Sequence, residues 1–164
     1  MFVVACTLLV AAGLGKLRSP AGVQDALSGA RVRVPRAAVR ALGAAEVALG
    51  AAASVRPSPL MAELVALSYG AFCAFVLLRR PARCGCFGAA AAGGELVHAL
   101  LNAVACAVAV VAAVVPPPGV GWIFGQEPLI AAPLVLGIAA ATLAGYLMFT
   151  AFPVAWRAYG VGRQ

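Results

Sequence analysis

Charged side chains are scarce in this sequence. Only 10% of its 164 residues are Asp, Glu, Lys or Arg, and it has one histidine. Soluble domains carry roughly 25% charged residues, whereas here 64% of residues are hydrophobic and the mean hydropathy is +1.02. A soluble chain of this size cannot bury so much apolar surface. The composition excludes a soluble enzyme, a disordered chain and a secreted disulfide scaffold, and predicts an integral membrane protein with a single domain, residues 1–164.

The hydrophobic residues gather in five runs that are long enough to cross a bilayer as helices. Runs rich in Ala, Leu and Val without alternation of period two favour helices over a β-barrel. We predict an all-α polytopic membrane bundle, with four core transmembrane helices in residues 1–115 and a fifth, C-terminal one in residues 128–153. The runs cover residues 1–17, 37–55, 60–78, 95–115 and 129–152. Ser19-Pro20 and Gly29 also predict a short helix, Ala21–Ser28, after the first run.

The basic residues are distributed asymmetrically between the runs. Eleven of the twelve Lys and Arg residues lie in the first and third connections or in the C-terminal tail, and only Arg56 lies elsewhere. Cytoplasmic loops are rich in Lys and Arg. This predicts a multi-pass protein of the bacterial inner membrane with its N-terminus outside and its C-terminus in the cytoplasm. The expected partner of these charges is the lipid bilayer, and no nucleic-acid partner is predicted.

The most distinctive segment is Cys84-Gly85-Cys86-Phe87-Gly88, which follows an arginine-rich stretch. Nearby guanidinium groups favour the thiolate form of cysteine, and a disulfide across one residue would be strained and readily exchanged. Cys84 and Cys86 are therefore candidate catalytic residues of a membrane thiol–disulfide oxidoreductase. Metal binding with further ligands and a tight turn that merely packs are the open alternatives. Three more cysteines lie within apolar runs and are interpreted as small hydrophobic residues: Cys6, Cys73 and Cys106.

The fourth run carries a polar face. Its members, Glu95, His98, Asn102 and Cys106, are spaced i, i+3, i+7 and i+11, so a helix places them on one side. His98 and Asn102 are candidate site residues that can orient a thiol, shuttle a proton or hydrogen-bond a quinone head group. Interhelical hydrogen bonding is the structural alternative.

Glu46 lies near the middle of the second run. A carboxyl group at that depth is costly, so it should face the interior of the bundle, neutral or paired. Its candidate partners are Lys16, His98 and Asn102, and its role is either proton-linked or a structural hydrogen bond.

Two stripes of small residues predict close helix contacts. The stripe on the second run is Ala41, Ala45 and Gly50, and the stripe on the fifth is Gly137, Ala141 and Gly145. General richness in alanine is the alternative explanation.

With these motifs, residues 1–115 resemble the methylamine utilisation protein MauE family, related to DoxX-like membrane proteins. The Cys84–Gly88 pentapeptide carries most of the resemblance. Weaker matches support it: Gly15-Lys16-Leu17 with Pro20, Glu46 and Asn102. The resemblance implies a role in maturation of methylamine dehydrogenase, whose disulfides form with the help of a thioredoxin-like protein. The implied partners are that protein or a maturing dehydrogenase subunit.

The layout is also similar to that of the vitamin K epoxide reductase family, in which a thiol pair passes electrons to a quinone. By this analogy a quinone is a candidate cofactor, although the present chain has CxC where that family has CxxC. The charge asymmetry places Cys84 and Cys86 on the cytoplasmic face, whereas disulfides form outside the cytoplasm. The pair therefore works reductively from inside, passes electrons across through buried groups, or departs from the charge rule. A non-redox assembly or metal-binding accessory protein is the alternative function.

Overall fold

The computed structural model describes residues 1–29, 34–79 and 95–152, together with Ala155 and Tyr159. This part of the chain forms helices without strands. They are α1 (Phe2–Arg18), α2 (Pro20–Gly29), α3 (Arg36–Val55), α4 (Pro59–Arg79), α5 (Glu95–Val114), α6 (Val120–Phe124) and α7 (Pro128–Thr150). Five of them coincide with the five apolar runs and α2 with the expected short helix, which confirms the all-α bundle. The sequence analysis did not anticipate α6.

Prolines mark several helix boundaries. Pro20, Pro59 and Pro128 are the first residues of α2, α4 and α7, where the missing N–H has no intrahelical partner to lose. The segment Pro116–Pro118 follows the end of α5, since consecutive prolines cannot continue a helix. Short connections at these boundaries bring successive helices side by side.

The helices have the lengths and surfaces of membrane spans. Four of them, α3, α4, α5 and α7, are long and apolar enough to cross a bilayer, and α1 has 17 residues, near the lower limit for a span. Large apolar side chains such as Leu67, Leu78 and Leu129 are 70%, 80% and 87% exposed. Such a surface is stable in contact with lipid and not with water. The chain is a multi-pass membrane protein.

Helices α1 and α3 pack antiparallel with their backbones nearly touching. A Cβ atom added to Gly13 would lie 2.5 Å from the Gly43 carbonyl oxygen, and one added to Gly50 would lie 2.6 Å from that of Cys6. The stripe of small residues on α3 was therefore predicted wrongly in part. Gly50 is at the contact, but Ala41 and Ala45 are exposed, because the helix turns Gly43 towards α1 instead.

Helices α4 and α5 form a second antiparallel pair. The Cys73 thiol donates to the Ala99 carbonyl at 3.4 Å, and the Cys106 thiol donates to that of Ala66 at 3.3 Å. Cys6 of α1 is fully buried in the main core. All three are free cysteines, which agrees with their interpretation as packing residues.

Helix α7 lies at the rim of the bundle, against α1. The hydroxyls of Thr7 and Thr142 share a 2.8 Å hydrogen bond, and a Cβ atom on Gly145 would lie 2.9 Å from a methyl carbon of Leu8. A Cβ atom on Gly137, by contrast, would meet no atom within 4 Å among the described residues. Of the stripe predicted on α7, Gly145 lies at this contact and Gly137 does not.

Candidate functional site

A buried ion pair joins the two helices of the first pair. Lys16 lies three residues after Gly13 on α1, and Glu46 lies three residues after Gly43 on α3. The Lys16 Cβ atom packs against Gly43, 3.1 Å from where a Cβ atom on that glycine would lie. Glu46 lies one turn further along the same face of α3, so the long lysine side chain reaches its carboxylate. The Lys16 Nζ to Glu46 Oε2 distance is 2.6 Å, and each side chain is 3% exposed. Of the three partners considered for Glu46, the structure selects Lys16.

Two aromatic residues of α4 lie beside the ion pair, and one of them contacts the lysine. The Lys16 Nζ atom lies 4.8 Å from the centroid of the Phe72 ring, a distance at which the ring face attracts a cation. The Tyr69 ring meets that of Phe72 edge to face, with 6.2 Å between their centroids. The Tyr69 hydroxyl donates a 2.6 Å hydrogen bond to the Ala5 carbonyl, which fixes α4 against α1. Helices α1, α3 and α4 thus all contribute to the surroundings of the pair.

The two carboxylate oxygens of Glu46 have different surroundings. Oε2 accepts the hydrogen bond from Lys16, whereas Oε1 is buried without a hydrogen-bond partner among the described residues. A buried carboxylate oxygen is stabilised by a donor, so Oε1 is the atom of this cluster able to accept a further proton or hydrogen bond. Chemically, the arrangement is a neutral pair of opposite charges with one acceptor position still open.

A second polar group lies on α5. His98 is 1% exposed and Asn102 is 2% exposed, so the predicted polar face does turn towards the interior. The Asn102 amide donates a 2.7 Å hydrogen bond to the His98 carbonyl, one turn earlier. The His98 ring lies 5.7 Å from the ring of Phe149 on α7, at an interplanar angle of 52°. The side chain of Glu95 lies outside the described part of the chain.

The predicted site residues therefore divide into two groups. Glu46 is joined to Lys16, while His98 and Asn102 are joined to each other through the turn of α5. The sequence analysis missed the aromatic residues Tyr69 and Phe72. The sequence signal for the pairing of Lys16 with Glu46 is that the first run has a single charged residue, a lysine, and the second run a single acidic residue.

The stretch that contains both groups matches a known family. The family described as methylamine utilisation protein MauE matches residues 1–115, which include α1 to α5 and the polar residues Lys16, Glu46, His98 and Asn102. The chain belongs to the MauE family. No curated protein and no solved structure matches the chain. Helices α6 and α7 follow the part that matches the MauE family.

The two cysteines of the CxC motif lie outside the described residues. Cys84 and Cys86 are in the connection between α4 and α5, the two helices that carry Phe72 and His98. Among the residues that the structure describes, no group of three or more His, Cys, Asp or Glu side chains has the arrangement of a metal site. Within that part, the candidate site is the Lys16–Glu46 pair with its aromatic neighbours and the His98–Asn102 turn.

Proposed function

We propose that this MauE family member is an accessory membrane protein of methylamine utilisation that exchanges disulfides with a partner through Cys84 and Cys86. Family membership supports the accessory role. The finer assignment depends on the chemistry of the motif, in which two thiols one residue apart follow Arg79, Arg80 and Arg83. Guanidinium groups nearby stabilise the thiolates that disulfide exchange requires.

The use of the other cysteines favours this pair. Cys73 and Cys106 donate to carbonyls across the α4–α5 contact, and Cys6 is enclosed in the main core. A thiol held in this way behaves as a small hydrophobic side chain. Cys84 and Cys86, which lie two residues apart in the connection between spans, are the pair left for exchange.

The proposed reaction exchanges one disulfide for another. A thiolate of a thioredoxin-like partner attacks one sulfur of the Cys84–Cys86 disulfide and forms a mixed disulfide, and the other cysteine leaves as a thiolate. The partner's second thiolate then attacks the mixed disulfide. The partner leaves oxidised, while Cys84 and Cys86 gain two electrons and two protons. The reverse sequence reduces the partner, so the exchange itself requires no cofactor.

The buried polar residues would support this chemistry from within the bundle. His98 and Asn102 lie near the start of α5, the end of the helix that the motif precedes. Glu46 offers one open acceptor oxygen. A change of two protons at the thiol pair requires groups that can accept or relay protons, and these three residues are the proposed ones.

The test is quantitative thiol alkylation followed by mass spectrometry of the purified, full-length protein. Samples are poised at a series of glutathione potentials. We expect Cys84 and Cys86 to change from alkylated to disulfide-linked together, at one potential, and a thioredoxin-like protein with one cysteine removed to be trapped as a mixed disulfide. Cys84→Ser should abolish the trapping. Cys106→Ser is the matched control and should leave it intact.

Two results would overturn the proposal. In the first, the two thiols titrate independently, or Cys84→Ser still forms the trapped complex. In the second, the purified protein carries a stoichiometric metal ion that is lost in Cys86→Ser while both thiols remain reduced at every potential. The second result would establish the metal-binding alternative.

A further inference from the structure

An apolar groove opens between α1, α6 and α7. Its volume is about 560 Å³, within the roughly 300–1,000 Å³ typical of ligand pockets. The walls are almost entirely hydrocarbon. Representative lining residues are Val3, Ala11, Ile123, Val135, Ile138 and Leu143.

The polar atoms of the Thr7–Thr142 contact in the groove are already satisfied. The Thr7 hydroxyl donates to the Val4 carbonyl at 2.9 Å and shares its 2.8 Å hydrogen bond with Thr142. An occupant therefore gains nothing here from a polar group and would have to desolvate one. A groove of this size left empty would forfeit the dispersion contacts of its walls. Hydrocarbon is the chemistry that fits.

A charge lies at the α6 end of the groove. Helix α6 begins after Gly119, whose backbone packs directly against the Val55 carbonyl, with no room for a Cβ atom. Arg56 follows directly, is exposed, and ends α3. Among the described residues, Arg18, Arg36 and Arg40 lie at the opposite end of the α1–α3 pair. Arg56 thus lies beside the start of α6, whose first residue, Val120, lines the apolar groove.

We propose that this groove binds one acyl chain of a bilayer phospholipid, with the phosphate of that lipid held by Arg56. The chain fills the space between α1 and α7 and replaces the side-chain contacts that α7 lacks there. A guanidinium group binds phosphate oxygens through two parallel N–H donors, which is the recognition that a glycerophospholipid offers at the edge of its acyl chains. The bound lipid would form part of the packing that holds α7 to the bundle.

The test uses the full-length protein purified in a mild detergent and analysed by native mass spectrometry, with the retained lipid identified by chromatography. Ala139→Trp fills the groove from α7, because Ala139 lines it. Ala140→Trp is the matched control on the neighbouring, exposed position. We expect one retained phospholipid per chain in the native protein and in Ala140→Trp, and a loss of at least about tenfold in Ala139→Trp. Arg56→Gln should reduce the retained amount several-fold.

A second measurement keeps the result interpretable if Ala139→Trp misfolds. The native protein is illuminated in vesicles that contain a phospholipid with a diazirine in its acyl chain, and labelled peptides are sequenced. Labels concentrated on the facing residues of α1, α6 and α7 support the proposal. Labels spread equally over the exposed faces of α3 and α4, retention of lipid by Ala139→Trp at the native level, or recovery of a quinone instead of a phospholipid would each overturn it.

Discussion

Lys16 and Glu46 are buried charges in a bundle whose outer surface is apolar. Removing a charge from water costs several kcal/mol per ion, and the attraction between the two partners offsets that cost only while both are present. The cation–π contact of Lys16 with Phe72 adds to this attraction. At the scale of single residues, the pair therefore acts as a unit. Loss of one member leaves the other as a buried and uncompensated charge.

Glu46→Gln is expected to destabilise the protein by about 3–5 kcal/mol, because it leaves the Lys16 ammonium group buried without its counter-ion. The double variant Lys16→Met/Glu46→Gln should recover a large part of this loss. The measurement is thermal unfolding in detergent micelles for both single variants and the double variant. Glu63→Gln is the control at an exposed carboxylate of α4 and should change the stability little. Additive effects of the two single variants would contradict the coupling.

Helix packing depends on the glycines that let α1 and α3 approach. A Cβ atom added to Gly13 or Gly43 would lie 2.5 or 2.8 Å from a backbone oxygen atom of the other helix, and backbone cannot move aside as the end of a flexible side chain can. At the scale of the element, these contacts set the register that brings Lys16 opposite Glu46. A larger residue at either glycine would disturb the ion pair as well as the packing.

Gly43→Ala should therefore lower the stability by about 1–3 kcal/mol, the usual cost of an overpacked contact. Gly137→Ala is the matched control, because an added Cβ there meets no atom within 4 Å in the described part of the chain. That control should be neutral or slightly stabilising, since alanine favours the helix by up to about 1 kcal/mol over glycine. The measurement is the unfolding midpoint of each of the two variants under the same conditions. Equal midpoints would show that α1 and α3 tolerate wider separation.

The sequence alone predicted the spans, the interior position of Glu46 and the buried face of α5. These depend on hydrophobic periodicity and on the cost of charge in lipid, which are local properties of each run. The sequence could not predict that α3 contacts α1 through Gly43 and not through Ala41 and Ala45. That contact depends on how α3 is rotated about its own axis relative to α1. The roles of Tyr69 and Phe72 likewise depend on the arrangement of three helices.

The whole molecule has chemically different ends. The exposed Arg18, Arg36 and Arg40 lie at one end of the antiparallel α1–α3 pair, and Arg56 lies at the other. A negative surface potential attracts basic residues to the cytoplasmic leaflet. The arginine-rich end is therefore the predicted cytoplasmic end, where Cys84 and Cys86 would also lie.

We expect a green fluorescent protein fused after Gln164 to fluoresce and a periplasm-dependent phosphatase fused at the same position to remain inactive. In intact cells, a membrane-impermeant maleimide should leave Cys84 and Cys86 unlabelled until the membrane is permeabilised. The reason is that eleven of the twelve Lys and Arg residues lie in the first and third connections or in the C-terminal tail, and only Arg56 lies elsewhere. Such an asymmetry sets the orientation of insertion. An active phosphatase fusion together with labelled thiols in intact cells would reverse the assignment and place the exchange reaction outside.

The two members of the Lys16–Glu46 pair leave the ribosome at different times. The two partners are 30 residues apart, so Lys16 emerges from the ribosome well before Glu46 exists to neutralise it. Lys16 lies in the last turn of α1, and an unpaired lysine in a span raises the cost of membrane insertion by up to about 2.5–3.5 kcal/mol, the value for the helix centre. Helix α1 is then expected to wait beside the insertion machinery until α3 arrives, so that the two helices enter the lipid together as a hairpin.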